Sequence, residues 1–154
     1  MRWKHRLSSV GSLREGDILL IRSGFVAGYN ALNDEEKIAW SHAFPTRWVG
    51  VETSIDTLKW LWDSGVSAVA GDAPGFERLP LEGTPHLHEV LLSGWGMSIG
   101  EYFGLEGLSE ECERLGRWSF FLSSMPLNLV GGVGSPPGAR AFFWKVGMWD
   151  FATV

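Results

Sequence analysis

One ordering of segments constrains the fold more than any other: an apolar run, an amphipathic helix, then a second apolar run. Arg14-Glu15-Gly16-Asp17 reads as a turn, and Ile18-Leu19-Leu20-Ile21 follows as a short continuous apolar stretch. Such a run, bounded by turn residues, predicts a strand buried on both faces. Ser23-Gly24-Phe25 ends it, and Tyr29 to Trp40 is polar, a surface helix or loop. Thr53 or Ser54 can cap a helix from Ile55 to Ser64, with Ile55, Leu58, Leu61 and Trp62 on one face and Gly65 as its stop. Val66-Ser67-Ala68-Val69-Ala70 is the next strand, closed by Gly71-Asp72-Ala73-Pro74. A strand, helix, strand order is a crossover unit and implies parallel pairing.

The rest of the chain continues in the same manner. Thr84-Pro85 predicts a helix start, with proline in the first turn and Gly94 at the end. Met97-Ser98-Ile99 can then form a strand. Leu108, Cys112 and Leu115 form the apolar stripe of a further helix stopped by Gly116. Trp118 to Ser123 alternates as a strand, and Ala139 to Val146 forms the last one after the glycine- and proline-rich loop Gly131 to Gly138. The tail from Trp144 to Val154 matches no pattern. No internal repeat or linker interrupts the sequence, so residues 1–154 read as one α/β domain.

Composition narrows the class. With 45% apolar and 20% charged residues, the chain is globular rather than disordered. Nine Trp and nine Phe predict a core filled by large rings. The net charge of −5 provides no field for nucleic acid. Cys112 is the sole cysteine, which excludes an internal disulfide or a cysteine-rich zinc site, and its place on a helical stripe suggests a packed thiol. The basic start, Met1 to Leu13, has no apolar segment of signal-peptide length, and no run approaches the ~20 apolar residues of a membrane span. A cytoplasmic protein that binds no membrane is therefore expected.

Chemistry concentrates between Leu87 and Leu105. His88 and Glu101 flank a glycine-rich apolar run there, and a histidine and a carboxylate on a rigid frame are the parts of a metal site or an acid/base pair. Chance spacing of two ordinary surface residues is the competing reading. His86 lies two residues before His88; on a helix the two imidazoles diverge by about 200°, so His86 is expected at the surface, as are His5 and His42. Asp72 stands where α/β sheets place ligand sites, at the carboxyl end of a strand, although a Gly-Asp-Ala-Pro turn can also use its aspartate to bind nearby amides. The Gly131 to Gly138 loop lacks the Lys-Ser/Thr ending of a phosphate loop. Ser93 and Ser98 lack the flanks of a nucleophile elbow.

Five segments taken in order resemble one family. Asp17-Ile18-Leu19-Leu20-Ile21-Arg22-Ser23-Gly24, Ala68-Val69-Ala70-Gly71-Asp72-Ala73-Pro74, His88-Glu89-Val90-Leu91-Leu92, Gly100-Glu101 and Gly132-Val133-Gly134-Ser135-Pro136-Pro137 are similar to the cyclase family that includes kynurenine formamidases and isatin hydrolases, with the uncharacterised fungal branch nearest. The likeness runs from about Gly16 to Phe143. It implies a swivelling β/β/α fold and a metal-dependent hydrolase that opens an aryl formamide or a cyclic amide. In such enzymes zinc or manganese activates water. The resemblance carries catalytic and metal-ligating roles to His88 and Glu101. Asp72 is a candidate third ligand, a role the family does not supply. The family's His-x-Gly-Thr-His-x-Asp-like ligand motif has no counterpart, so the chain is expected to be the C-terminal portion of such a fold. Two functions follow as expectations: the hydrolase, completed by ligands from elsewhere, or a truncated non-catalytic paralogue serving in association. A homodimer is expected in either case.

Overall fold

The computed structural model describes residues 13–81, 85–132, 134–135, 137–145 and 148–154. They fall into two compact units, one from Leu13 to Leu105 and one from Glu106 onward. The start Met1 to Ser12, the helix-start residue Thr84, and Val133 and Pro136 of the glycine-rich loop lie outside the described residues.

The first unit is built on a three-stranded parallel sheet, ordered β1 (Ile18–Ile21), β2 (Ala68–Gly71), β3 (Ser98–Gly100). Ile18 pairs with Ala68 and Ile21 with Gly71, while Ala70 pairs with Gly100. The expected parallel crossover is therefore present. Between β1 and β2 run α1 (Phe25–Ala31), α2 (Asp34–Ser41) and α3 (Ile55–Ser64). α2 opens on a capping box, in which the Asn33 side chain takes the Glu36 amide and Glu36 takes the Asn33 amide. α3 has the predicted bounds. The Ser54 hydroxyl accepts from the Thr57 amide, and Gly65 ends the helix in the left-handed region at φ 64°.

Two expectations about packing change. β1 is an edge strand, and Ile18 is exposed rather than buried on both faces. On α3 only Leu58 and Leu61 turn inward, whereas Ile55 and Trp62 face solvent. The core of this unit is mainly aliphatic: Val51, Leu58, Leu61, Val66, Val69, Leu87, Leu91 and Met97 pack with Phe76. Many of the large rings lie outside it. Trp60, Trp62 and Tyr102 are exposed, and Phe44 is 97% exposed.

The helix expected to end at Gly94 is wound differently from an α-helix. Leu87 and His88 begin it, and Glu89–Gly94 forms a π-helical turn closed by the Trp95 amide on the Val90 carbonyl at 2.9 Å. Leu87 and Leu91, four apart, are fully buried and anchor it.

The second unit combines α4 (Leu105–Leu115) with an antiparallel sheet of β4 (Phe121–Met125), β5 (Gly138–Lys145) and β6 (Met148–Thr153). Leu108 and Cys112 of α4 are buried, the thiol as a packed side chain. Ala139, Ala141 and Phe143 are the buried residues of β5, two apart as the pleat requires. The tail that matched no pattern is β6, registered by Phe151 opposite Phe142 and Trp149 opposite Trp144. No helix of the described residues is long and apolar enough to cross a membrane.

Candidate active site

All three parallel strands deliver chemistry-bearing residues just past their carboxyl ends. β1 leads into Ser23 and Phe25, β2 into Asp72 and Ala73, and β3 into Glu101 and Tyr102. Ligand sites of open α/β sheets occupy this edge because the strands end there and the connections diverge.

The structure brings His88 and Glu101 together: His88 Nε2 lies 3.0 Å from Glu101 Oε1. The same Oε1 accepts the Phe76 amide at 3.1 Å, which fixes the carboxylate against the loop after β2. The other ring nitrogen, Nδ1, lies 2.9 Å from Glu77 Oε1. His88 is thus an imidazole held between two carboxylates, with 37% of its side chain open to solvent. Its pKa is raised, first by the hydrogen bond to Glu101 and then by Glu77 and the two charges, while partial burial pulls the other way.

Glu77 was not singled out from sequence. It sits in a loop with no periodic pattern, and only its position five residues after Asp72, past a strand end, could have drawn notice. It is almost fully buried. Its Oε2 accepts the Leu87 amide and the Thr53 hydroxyl, the latter at 3.3 Å, and its Oε1 also takes the His88 amide at 3.4 Å. The loop is clamped by close backbone approach. The Val51 amide donates to the Phe76 carbonyl at 2.9 Å, the Arg78 amide to the Val51 carbonyl at 3.0 Å, and Trp48 Nε1 to the Glu77 carbonyl at 2.9 Å.

Asp72 is 1% exposed. Its Oδ1 accepts the Ser23 amide at 2.6 Å and the Ser23 hydroxyl at 2.7 Å, and its Oδ2 accepts the Gly24 amide at 2.7 Å. It ties the loop after β1 to the end of β2, the amide-binding role open to an aspartate in such a turn. His86 points away toward Glu89 at 3.5 Å, and His42 is exposed at the end of α2. Burial, then the nearby Glu111 charge, raises the Cys112 pKa, away from the range of an activated thiol.

Beside Glu101 stands Tyr102, held in the left-handed region at φ 57° by its amide on the Ala73 carbonyl at 3.1 Å. A non-glycine residue there costs about 1–2 kcal/mol, a strain that collects at functional sites. Its ring meets Phe25 edge-on at 6.2 Å, and Phe25 in turn contacts Tyr29 and Trp40. An aromatic wall therefore rises next to the histidine–carboxylate pair.

His88 Nε2 and Glu101 Oε1 are the donor types a zinc or manganese ion accepts, and their 3.0 Å separation suits two adjacent ligands. They are two donors where a catalytic zinc takes three. Among the described residues no group of three or more His, Cys, Asp or Glu could hold an ion. The residues present do not make a metal centre by themselves.

Set beside solved structures, the chain is similar to the crystal structure of a novel cyclase, with a TM-score of 0.74 and 33% sequence identity. The fold is cyclase-like. The similarity covers 88% of this chain and 43% of that one, so the chain spans less than half the length of the protein it matches. No family model matches the sequence. No curated protein matches it either.

Proposed function

We propose that this cyclase-like chain is a hydrolase of the kynurenine formamidase kind, from the fungal branch of the family, cleaving the C–N bond of an aryl formamide or a cyclic amide at His88 and Glu101. The observation that carries the reading is the 3.0 Å contact of His88 Nε2 with Glu101 Oε1 at the carboxyl edge of a parallel sheet. An imidazole and a carboxylate within hydrogen-bond reach form a general acid and base pair. As water attacks the amide carbonyl, the pair takes the water proton and the new C–O bond forms. The C–N bond then breaks, and the same proton passes to the departing nitrogen, leaving a carboxylic acid and an amine. The wall of Phe25, Tyr29, Trp40 and Tyr102 suits a flat aryl group beside the reacting carbon. A zinc or manganese ion, if it serves, would draw on His88 and Glu101 and at least one further donor beyond the described residues, and would make the water more acidic.

The test is hydrolysis of an aryl formamide, followed by appearance of the free aryl amine, with zinc and with manganese supplied in turn. The expected result is turnover that disappears in both His88→Ala and Glu101→Ala. Turnover unchanged in either variant, or none in the parent protein under any of these conditions, would overturn the proposal.

A second reading is favoured by the sheet of the second unit. Phe121, Trp144, Trp149 and Phe151 are exposed together, with Phe142 at their centre 6.0–6.5 Å from the rings of Phe121, Trp149 and Phe151. Such an apolar face suits association, either in a cytoplasmic homodimer of the enzyme or in a module without catalysis. Sedimentation at micromolar concentration separates a dimer from a monomer, and the formamide assay separates the enzyme from the module.

A further inference from the structure

Both sides of the aromatic wall are set from one short segment, Gly71-Asp72-Ala73 at the end of β2. On the β3 side the contacts are backbone. The Phe103 amide donates to the Gly71 carbonyl and the Tyr102 amide to the Ala73 carbonyl, each at 3.1 Å. On the β1 side they come from the buried Asp72 side chain, which takes the Ser23 amide, the Ser23 hydroxyl and the Gly24 amide. Ser23 Oγ in turn accepts the Phe25 amide at 3.2 Å. The first residue of α1 is thereby tied to the buried carboxylate through one hydroxyl. Neither α1 nor α2 has a buried residue, so core packing contributes little to where Phe25, Tyr29 and Trp40 stand. The placement of Phe25 against Tyr102, ring centroids 6.2 Å apart, depends instead on this link. A buried carboxylate is costly unless its oxygens are satisfied, and all three donors here belong to the segment that leads into Phe25.

We propose that Asp72 is a specificity-determining positioning residue: by holding Ser23 and Gly24 it sets the Phe25 ring against Tyr102, and the wall so formed selects a flat aryl group over an alkyl one. This deepens the hydrolase reading and rests on it only for its kinetic consequence, since an aryl compound can bind without being cleaved. A preformed aromatic surface takes a flat ring with little ordering cost, whereas a saturated ring of the same size gains no ring-to-ring contact. Asparagine has the size of Asp72 but cannot replace it. Its amide has one accepting oxygen, so an NH2 group must face either the Ser23 amide or the Gly24 amide.

The experiment is an NMR titration of the full chain with phenol and with cyclohexanol, matched neutral probes that have no amide bond to cleave. It follows the Phe25 and Tyr102 ring signals in the parent, Asp72→Asn and Ser23→Ala, with formanilide kinetics under zinc and under manganese alongside. In the parent, phenol should bind at these rings and more tightly than cyclohexanol. In Asp72→Asn the phenol affinity should fall about 3- to 10-fold, the worth of an aromatic pair contact, and the preference over cyclohexanol should shrink. KM for formanilide should rise by a similar factor while kcat falls less than about threefold, because uniform binding is what is lost and the His88 contacts do not involve Asp72. Ser23→Ala alters an exposed position and breaks the hydroxyl link, so the chain should fold and its phenol affinity should fall at least about twofold. Parent-like phenol affinity in Ser23→Ala overturns the proposal even if Asp72→Asn does not fold. So does a parent that binds phenol no better than cyclohexanol, or a folded Asp72→Asn whose melting temperature drops while phenol affinity and KM stay put. If the parent does not turn over formanilide but phenol affinity shifts as expected, the hydrolase reading fails and the positioning role stands.

Discussion

Gly50 lies far from the imidazole in sequence, yet its hydrogen in place of a side chain is what allows Glu77 to sit where it does. A Cβ built on Gly50 would lie 2.5 Å from the Arg78 nitrogen, 2.6 Å from the Glu77 carbonyl carbon and 2.8 Å from its oxygen. All three neighbours are backbone atoms, so no rotamer change relieves the clash. Real contacts of this kind begin beyond 3.0 Å, so Gly50→Ala forces the two segments apart by at least about half an ångström. The neighbouring hydrogen bonds, Val51 amide to Phe76 carbonyl and Arg78 amide to Val51 carbonyl, resist that movement. Loss of both, at about 0.5–1.5 kcal/mol each, or overpacking, puts the cost at about 1–3 kcal/mol. For a unit of this size about 4–8 °C accompanies each kcal/mol, so its melting transition should fall by at least about 4 °C. Calorimetry of Gly50→Ala beside the parent measures the shift. Gly75→Ala is the internal comparison, because the three atoms nearest its Cβ would all belong to the Trp48 indole, at 2.9–3.2 Å, and a side chain can yield. Its transition should fall by less. An unchanged transition in Gly50→Ala, or a larger drop in Gly75→Ala, would refute the argument that backbone approach at Gly50 sets the Glu77 position.

Three further outcomes follow from the same site. Because Glu101 and then Glu77 raise the folded pKa of His88 above its unfolded value near 6.5, the stabilisation is fully present below about pH 6.5 and is lost as pH rises through the folded value. The stability difference between the parent and His88→Ala should therefore be larger at about pH 6 than at about pH 9, and equal denaturation midpoint differences at the two would contradict the sign. Asp72→Ala deletes three hydrogen bonds to a buried charge; it should cost about 2–3 kcal/mol in urea denaturation, with faster amide exchange at Ser23 and Gly24. Tyr102→Gly removes the ring but relieves the positive φ, so stability should stay within about 1 kcal/mol of the parent while KM for an aryl formamide rises; a large loss of stability with KM unchanged would mean that the ring serves packing alone.

Local signals were enough for the elements whose physics is local. Ser54 caps α3 and Gly65 stops it, and both roles depend on neighbours within four residues. The parallel pairing of β1 with β2 followed from the helix between them, since a crossover leaves few other arrangements. His88 and Glu101 were identifiable as a pair, by residue type and by the order of motifs around them. What the sequence could not supply was the partner of each polar group. Asp72 meets Ser23 because the register that sets Ile21 beside Gly71 brings the two strand ends together, across forty-nine residues of chain. Glu77 reaches His88 because Gly50 lets two loops touch, a contact with no periodic trace. The exposed rings carried no address either, because tryptophan and phenylalanine read as apolar wherever they fall, and only packing decides which side of an element is covered. Half of the His88 site was thus written in its own segment. The other half, the carboxylate behind it, is a product of tertiary structure, where close backbone approach and a buried charge select one geometry.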